Sequence, residues 1–153
     1  MANSYRILVV DDEASMRDFL SIMLHREGYH VDAAIDGAQA VKHLRDHNYD
    51  LVISDIQMPQ LNGLQLLKHV KERNPETVVI MITAFSSTEE AVEAMKQGAY
   101  DYITKPFKNE EIRLVINNAL ERKLLRQENV ELKKALEQRY SFSGLIGKSK
   151  PMQ

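Results

Sequence analysis

The stretch that decides the fold is LVISDIQMPQLNGL, residues 51–64. Its first four residues, Leu51–Ser54, are apolar nearly throughout, which is typical of a strand buried on both faces of a parallel sheet. Asp55 follows at once, and a stripe of leucines at helical spacing starts at Leu64. A strand, a carboxylate and a helix in this order predict one unit of an α/β domain, with the carboxylate at the carboxyl end of a buried strand.

The same unit recurs on both sides of this stretch. Five short runs predict strands: Arg6–Val10, His30–Ala34, Leu51–Ser54, Val78–Ile82 and Tyr102–Ile103. Four apolar stripes predict helices between them: Phe19, Leu20, Met23 and Leu24; Ala40, Val41 and Leu44; Leu64, Leu66, Leu67 and Val70; Ala91, Val92, Ala94 and Met95. Gly28 and Gly98 have the positions of helix C-terminal caps. This alternation predicts a flavodoxin-like, doubly wound five-stranded parallel sheet of order 2-1-3-4-5.

The bulk composition excludes several classes of protein. The chain has 153 residues, which favours one compact domain with a small appendage. It contains no cysteine, so disulfides, thiolate metal sites and cysteine nucleophiles are excluded. A net charge of -2 gives no indication of a nucleic-acid or anionic-membrane partner. Because no apolar run is long enough to span a bilayer, a soluble cytoplasmic protein is expected.

The C-terminal region predicts one long helix, starting near Asn109 and continuing without glycine or proline to Arg139. Its second half carries a seam with spacings of four, three and four: Leu125, Asn129, Leu132 and Leu136. This is the a/d pattern of a coiled coil, and Asn129 at an a position favours a parallel dimer. The seam covers only about two heptads, so a solvent-exposed linker helix is the alternative. An irregular segment is expected after Tyr140.

Acidic residues follow two strands that are predicted neighbours. Asp11 and Asp12 come after the first strand, and Asp55 comes after the third. Ligands of open α/β sheets bind beyond the carboxyl ends of the strands, near the point where strand order reverses. Clustered carboxylates repel each other, and a hard divalent cation such as Mg²⁺ relieves the repulsion. A single aspartate there would more simply be a helix N-cap or turn residue.

Two further polar residues end the fourth and fifth strands. The hydroxyl of Thr83 can donate to a phosphoryl oxygen, and Lys105 is a point charge suited to an anion. Read alone, these are a turn hydroxyl and a surface lysine. Together with the acidic cluster they predict a site in which Asp55 acts as nucleophile and becomes an acyl phosphate. The sequence leaves the isomer of the Lys105–Pro106 bond open.

These residues resemble the receiver domain of bacterial two-component response regulators. The matching segments are ILVVDDE (7–13), LVISDIQMPQLNGL (51–64), ITAF (82–85) and DYITKPF (101–107). The resemblance implies that Asp55 is the phosphoacceptor, that Thr83 and Tyr102 are the switch residues and that Lys105 contacts the phosphoryl group. It also implies Mg²⁺ (or Mn²⁺) as cofactor; the ligands would be Asp11, Asp12, Asp55 and the backbone carbonyl of Gln57.

The resemblance further implies a partner and an output. A sensor histidine kinase would donate the phosphoryl group, Thr83 would move toward it, and Tyr102 would turn inward. A receiver followed by a long linker and FSGLIGKSKPMQ (142–153) is similar to NtrC-type activators of sigma-54-dependent transcription. The domains expected are a receiver (1–120), a dimerising linker helix (121–140) and the start of a truncated AAA+ ATPase domain (141–153). DNA and sigma-54 RNA polymerase would be contacted by domains absent from the chain.

Two other functions use related parts. Haloacid-dehalogenase-like phosphatases also have an aspartate nucleophile, but they carry a second acid two residues later, where this chain has Gln57. A flavin carrier would place an anionic phosphate against three carboxylates. The sequence therefore favours a switch that is not an enzyme, and it leaves open whether phosphorylation makes or breaks the active dimer. Phe85, two residues beyond Thr83, is a candidate for excluding water from the acyl phosphate.

Overall fold

The computed structural model describes residues 5–58, 61–84 and 88–147. Strands and helices alternate along the chain: β1 Arg6–Val10, α1 Ala14–Arg26, β2 His30–Ala34, α2 Gly37–Asp46, β3 Leu51–Asp55, α3 Gly63–Arg73, β4 Val78–Thr83, α4 Thr88–Lys96, β5 Asp101–Thr104 and α5 Asn109–Gly147. All strand pairs are parallel, and the sheet order is β2-β1-β3-β4-β5. The flavodoxin-like topology predicted from the sequence is confirmed.

The central strands are buried on both faces, which explains why they do not alternate between apolar and polar residues. On β1, Leu8 belongs to one hydrophobic cluster and Ile7 belongs to the other. Residues of α2, α3 and α4 complete the first cluster, and residues of α1 and α5 complete the second. Successive side chains of a strand point to opposite faces, so each strand contributes to both cores.

Two helix ends are set by glycine as the sequence predicts. Gly28 has φ 94° after α1, and Gly98 has φ 103° after α4. This left-handed backbone conformation carries no steric penalty for glycine.

The structure corrects the helical stripe predicted on α4. Ala91 and Ala94 are buried, but Val92 and Met95 are 47% and 44% exposed. Two small residues at a spacing of three therefore form the buried face of α4. The larger side chains lie one position further round the helix and border the surface.

Four elements have bounds that differ from the sequence prediction. β3 and β4 each extend one residue further, through Asp55 and Thr83, because Asp55 still pairs with β4 and Thr83 still pairs with β5. β5 runs over Asp101–Thr104 because its main chain pairs with four residues of β4, although the flanking residues are polar. α5 continues to Gly147, past the predicted end at Arg139 and through the segment expected to be irregular. Ser141–Gly147 contains no proline, and one internal glycine costs only about 1 kcal/mol relative to alanine, so it does not end a helix by itself.

The chain divides into two compact units, Met1–Leu120 and Glu121–Gln153. The first contains the sheet, and α5 begins in it and ends in the second. Within the described residues, no helix is both long and apolar enough to cross a bilayer.

Candidate functional site

Three carboxylates meet at the carboxyl ends of β1 and β3. Val10 and Ser54 are paired in the parallel register, so the residues that follow them, Asp11 just after β1 and Asp55 at the end of β3, lie side by side at this edge of the sheet. One carboxylate oxygen from each of Asp11, Asp12 and Asp55 can be chosen so that all three lie within 4.8 Å of one another. Asp11 and Asp55 are buried, and Asp12 is exposed. The cluster is therefore open to solvent on the side of Asp12.

Lys105, the residue after β5, supplies the positive charge of the cluster. Its Nζ lies 3.0 Å from Asp11 Oδ2, 3.0 Å from Asp55 Oδ2 and 3.1 Å from Glu13 Oε1. The lysine side chain is 11% exposed and those of Asp11 and Asp55 are buried, so these two ion pairs are largely shielded from water, whereas the Glu13 side chain is 60% exposed. The peptide bond between Lys105 and Pro106 is cis.

The electrostatics of the cluster are unbalanced toward negative charge. Burial raises the pKa of Asp11, and hydrogen bonds from the Glu13 backbone and from Lys105 only partly oppose this. Burial by itself lowers the pKa of Lys105. Its hydrogen bonds to Asp11, Asp55 and Glu13 together outweigh this effect, so the net shift of the pKa is upward. One ammonium thus contacts Asp11, Glu13 and Asp55, and Asp12 is a further acidic side chain of the cluster, so a second cation would be electrostatically favoured there.

Main-chain and arginine contacts fix the orientation of the two buried aspartates. Asp55 Oδ1 accepts the backbone N–H of Gln57 at 3.0 Å, while its other oxygen faces Lys105. Asp11 Oδ1 accepts the backbone N–H of Glu13 at 2.9 Å. The guanidinium of Arg17 donates to the Asp11 carbonyl at 2.8 Å. Each buried carboxylate is therefore held by two donors from different parts of the chain.

The two predicted switch residues lie on neighbouring strands. Thr83 ends β4 and is 2% exposed; its carbonyl accepts the backbone N–H of Lys105 at 2.7 Å. Because Asp55 pairs with Ile82, Thr83 lies one residue beyond the level of Asp55 at the same edge of the sheet. Tyr102 on β5 is 39% exposed, and it lines a surface groove with α4 residues: Ala91, Val92, Met95 and Lys96.

The remaining predicted residues belong to α5 or lie outside the described part of the chain. Leu125, Leu132 and Leu136 are 58%, 63% and 48% exposed. The side chain of Asn129 lies outside the described residues, as do Phe85 and the C-terminal residues 148–153. The exposed leucines are available for a partner helix, as a coiled-coil seam requires.

Glu13 and Arg17 are site residues that sequence reasoning missed. Glu13 is adjacent to the acidic pair in the DDE run, and a third acid there is a weak signal for a contact with a lysine 92 residues away. Arg17 lies one helical turn after Glu13, and its backbone N–H donates to the Glu13 carbonyl at 3.1 Å. Its side-chain contact with the Asp11 carbonyl could not be read from spacing alone.

The residues present fit a divalent cation. Carboxylate oxygens are the ligands that Mg²⁺ and Mn²⁺ prefer. Ligands of an octahedral Mg²⁺ lie about 3 to 4.2 Å apart, and the three aspartate oxygens lie within 4.8 Å of one another, so small movements of the side chains would let them share one ion. The ammonium of Lys105 already lies among these carboxylates, which shows that the cluster accommodates positive charge.

Comparisons with known proteins agree with this fold. The regulatory protein AtoC of Escherichia coli is 35% identical over 147 residues, covering 96% of this chain and 32% of AtoC. The crystal structure of NtrX from Brucella abortus is 40% identical with a TM-score of 0.80, covering 86% of this chain and 30% of NtrX. The solution structure of the beryllofluoride-activated NtrC4 receiver domain dimer is 39% identical with a TM-score of 0.74, covering 80% of this chain and 99% of that domain.

The chain spans about a third of the length of AtoC and NtrX. Both relatives fit the NtrC-type subfamily that the sequence resembles. The protein-family description that matches residues 7–117 is the response regulator receiver domain. This match covers most of the chain and contains every residue of the acidic cluster and Lys105. The chain therefore belongs to the response regulator receiver domain family.

Proposed function

We propose that the chain is a phosphorylation switch in which Asp55 accepts a phosphoryl group from the phosphohistidine of a sensor histidine kinase. The observation that carries this proposal is the environment of Asp55. One of its oxygens accepts a backbone N–H, the other faces the ammonium of Lys105, and two further aspartates lie beside it. Such an arrangement orients a carboxylate nucleophile and neutralises charge on an incoming phosphoryl group.

In the proposed reaction, a carboxylate oxygen of Asp55 attacks phosphorus. The bond between phosphorus and the histidine nitrogen breaks, the nitrogen keeps the electron pair, and an acyl phosphate forms on Asp55. Lys105 is placed to neutralise phosphoryl charge. Bound Mg²⁺ (or Mn²⁺), held by Asp11, Asp12, Asp55 and the Gln57 carbonyl, would supply further charge neutralisation.

The acyl phosphate then biases a two-state element. Thr83, buried at the end of β4, would donate its hydroxyl to a phosphoryl oxygen. Its displacement would leave space for Tyr102, which is now 39% exposed beside α4. The inward turn of Tyr102 would remodel the surface formed by α4, β5 and α5. The charge added at Asp55 would thereby change a surface formed by elements other than β3, which carries Asp55.

The output belongs to the whole protein. AtoC and NtrX are about three times as long as the part this chain matches, so sigma-54-dependent transcription and DNA binding are proposals for domains beyond it. A homodimer through Leu125, Asn129, Leu132 and Leu136 is proposed as the link between receiver and output. The exposure of the three leucines supports it.

Phosphorylation by acetyl phosphate with Mg²⁺ tests the proposal. The intact mass should rise by one phosphoryl group, and Asp55→Ala should abolish the rise. Asp46→Ala, at an exposed aspartate ending α2, is the matched control and should be phosphorylated like the parent chain. Rapid multiple turnover of an aryl phosphate would instead favour a phosphatase, which the amide of Gln57 in place of a second acid argues against. A parent chain that gains no mass would refute the switch.

A further inference from the structure

Gln57 is in contact with two carboxylates from different elements. Its backbone N–H donates to Asp55 Oδ1 at the end of β3, 3.0 Å away. Its side-chain nitrogen lies 3.1 Å from Oε1 and 3.0 Å from Oε2 of Glu90, in the first turn of α4. One residue therefore connects the proposed phosphoacceptor to a helix 33 residues further along the chain.

Glu90 is a fixed anchor because α4 is packed against the sheet. The next residue, Ala91, is 5% exposed, and Ala94 is fully buried in the hydrophobic cluster beneath α4. A carboxylate in the first turn also interacts favourably with the helix dipole. The backbone that carries Glu90 thus has little freedom to follow the loop after β3.

The exposed Gln57 side chain lies between two buried neighbours. Ile56 and Met58 on either side are 1% and 8% exposed. The backbone N–H of Ile56 donates to the Ile82 carbonyl at 3.0 Å, and its carbonyl accepts the N–H of Gly63 at 2.9 Å. The backbone up to Gln57 is therefore held by β4 and by the start of α3, and Glu90 adds a restraint through the Gln57 side chain.

We propose that Glu90 is a positioning residue for the cation site. By holding the Gln57 side chain, it restricts the peptide group whose carbonyl is the proposed backbone ligand, so less freedom is lost when a cation binds. The inference rests on the proposed function, since it presumes that cation site. Because the bond is exposed and acts on the cation only through Gln57, we expect its loss to change the affinity by no more than an ordinary hydrogen bond would, about 3- to 10-fold.

Direct binding of Mn²⁺, measured by titration calorimetry or by electron paramagnetic resonance of the free ion, tests this without any phosphorylation. Glu90→Ala should weaken Mn²⁺ binding by about 3- to 10-fold. Glu90→Gln should keep most of the affinity, because the amide oxygen still accepts from Gln57. Glu89→Ala is the matched control: it removes the same charge from the same helical turn, and it should weaken binding by less than about 2-fold.

A double-mutant cycle shows whether Glu90 acts through Gln57. In the Gln57→Ala background, Glu90→Ala should have no larger effect than Glu89→Ala has in the parent chain. The inference is overturned if Glu90→Ala weakens Mn²⁺ binding no more than Glu89→Ala does, or no more than Glu90→Gln does. Either result would mean that Glu90 acts only through its charge at the surface. A parent chain that binds no Mn²⁺ would instead refute the cation site on which the proposed function depends.

Discussion

The ammonium of Lys105 lies 3.0 Å from Oδ2 of Asp55, although 50 residues separate the two in sequence. The same ammonium is also bound by Asp11 and Glu13. In a site with several carboxylates and one lysine, the lysine and a divalent cation neutralise the same negative charge. The stability of the domain and its response to Mg²⁺ should therefore be coupled through Lys105.

Replacement of Lys105 by methionine should test this coupling. Without divalent cations, Lys105→Met should lower the free energy of unfolding by about 2 kcal/mol, because buried carboxylates lose their counter-charge. Mg²⁺ should then stabilise the variant more than the parent chain, since the ammonium no longer competes. Urea unfolding with and without Mg²⁺ measures both effects. Lys108→Met, at an exposed lysine, is the control; equal Mg²⁺ effects in all three proteins would contradict the coupling.

A methyl group at Gly63 should disturb the loop that positions Asp55. A Cβ there would lie 2.6 Å from Met81 Cε and 2.7 Å from Ile56 Cα, and it would overlap the Asp55 carbonyl. Gly63→Ala should therefore destabilise the domain by about 2–3 kcal/mol. Gly98→Ala is a useful comparison, because its nearest contact is 3.4 Å and only the positive φ is penalised, by about 1 kcal/mol. Urea midpoints in the reverse order would rule out close packing at Gly63.

The backbone of the site could be predicted because strand ends are marked in the sequence. Leu51–Ser54 had to be a buried strand, and parallel pairing then placed Asp11 beside Asp55. Lys105 was predictable for the same reason, as the residue after the last strand. Apolar runs and topology thus determine which main-chain positions meet.

Side-chain partners could not be predicted, because they depend on rotamers and helix rotation. Glu13 reaches Lys105, and Glu90 reaches Gln57, only once α1 and α4 are packed in place. Hydrophobic spacing also misplaced Val92, since a pair of alanines, not the larger residues, sets which face of α4 is buried. When small and large apolar residues follow one another on a helix, their spacing in the sequence does not show which of them face the core.

Tyr102 should become less exposed when a phosphoryl mimic binds. Its ring is now 39% exposed, and the proposed displacement of Thr83 would open space behind it. With beryllofluoride and Mg²⁺, a soluble paramagnetic probe should broaden the Tyr102 ring signals less than before, as measured by nuclear magnetic resonance. Tyr29, whose hydroxyl is 3.5 Å from Asn117 Oδ1, is the internal control. Unchanged broadening of Tyr102, with the mimic bound, would exclude the rotation.

The linker leucines should control oligomeric state if they form a coiled-coil seam. Leu132 is 63% exposed, and an aspartate there would place charge at a d position of the seam. The parent chain should sediment as a dimer, and Leu132→Asp should sediment as a monomer at the same concentration. Gln138→Asp adds the same charge outside the a and d positions and should remain dimeric. Identical monomeric masses for the parent and Leu132→Asp would eliminate the seam.

The buried hydroxyl of Tyr49 should make the domain sensitive to alkaline pH. Tyr49 is 2% exposed and donates to Asp32 Oδ2 at 2.6 Å; burial first, and this hydrogen bond second, raise its pKa well above the ordinary value of 10.0. The folded state holds the Tyr49 proton more tightly than the unfolded chain does. The contribution of this hydroxyl to the free energy of unfolding is therefore fully present below pH 10, and it falls as the pH rises further, by at most about 1.4 kcal/mol per pH unit. Tyr49→Phe cannot titrate there, so the difference in unfolding free energy between the parent and the variant should shrink from pH 9 to pH 11. Ionisation of the other tyrosines affects the parent and the variant equally, so it cancels in this difference. A difference that does not change with pH would mean that the Tyr49 hydroxyl ionises as readily in the folded state as in the unfolded chain, which would contradict the prediction.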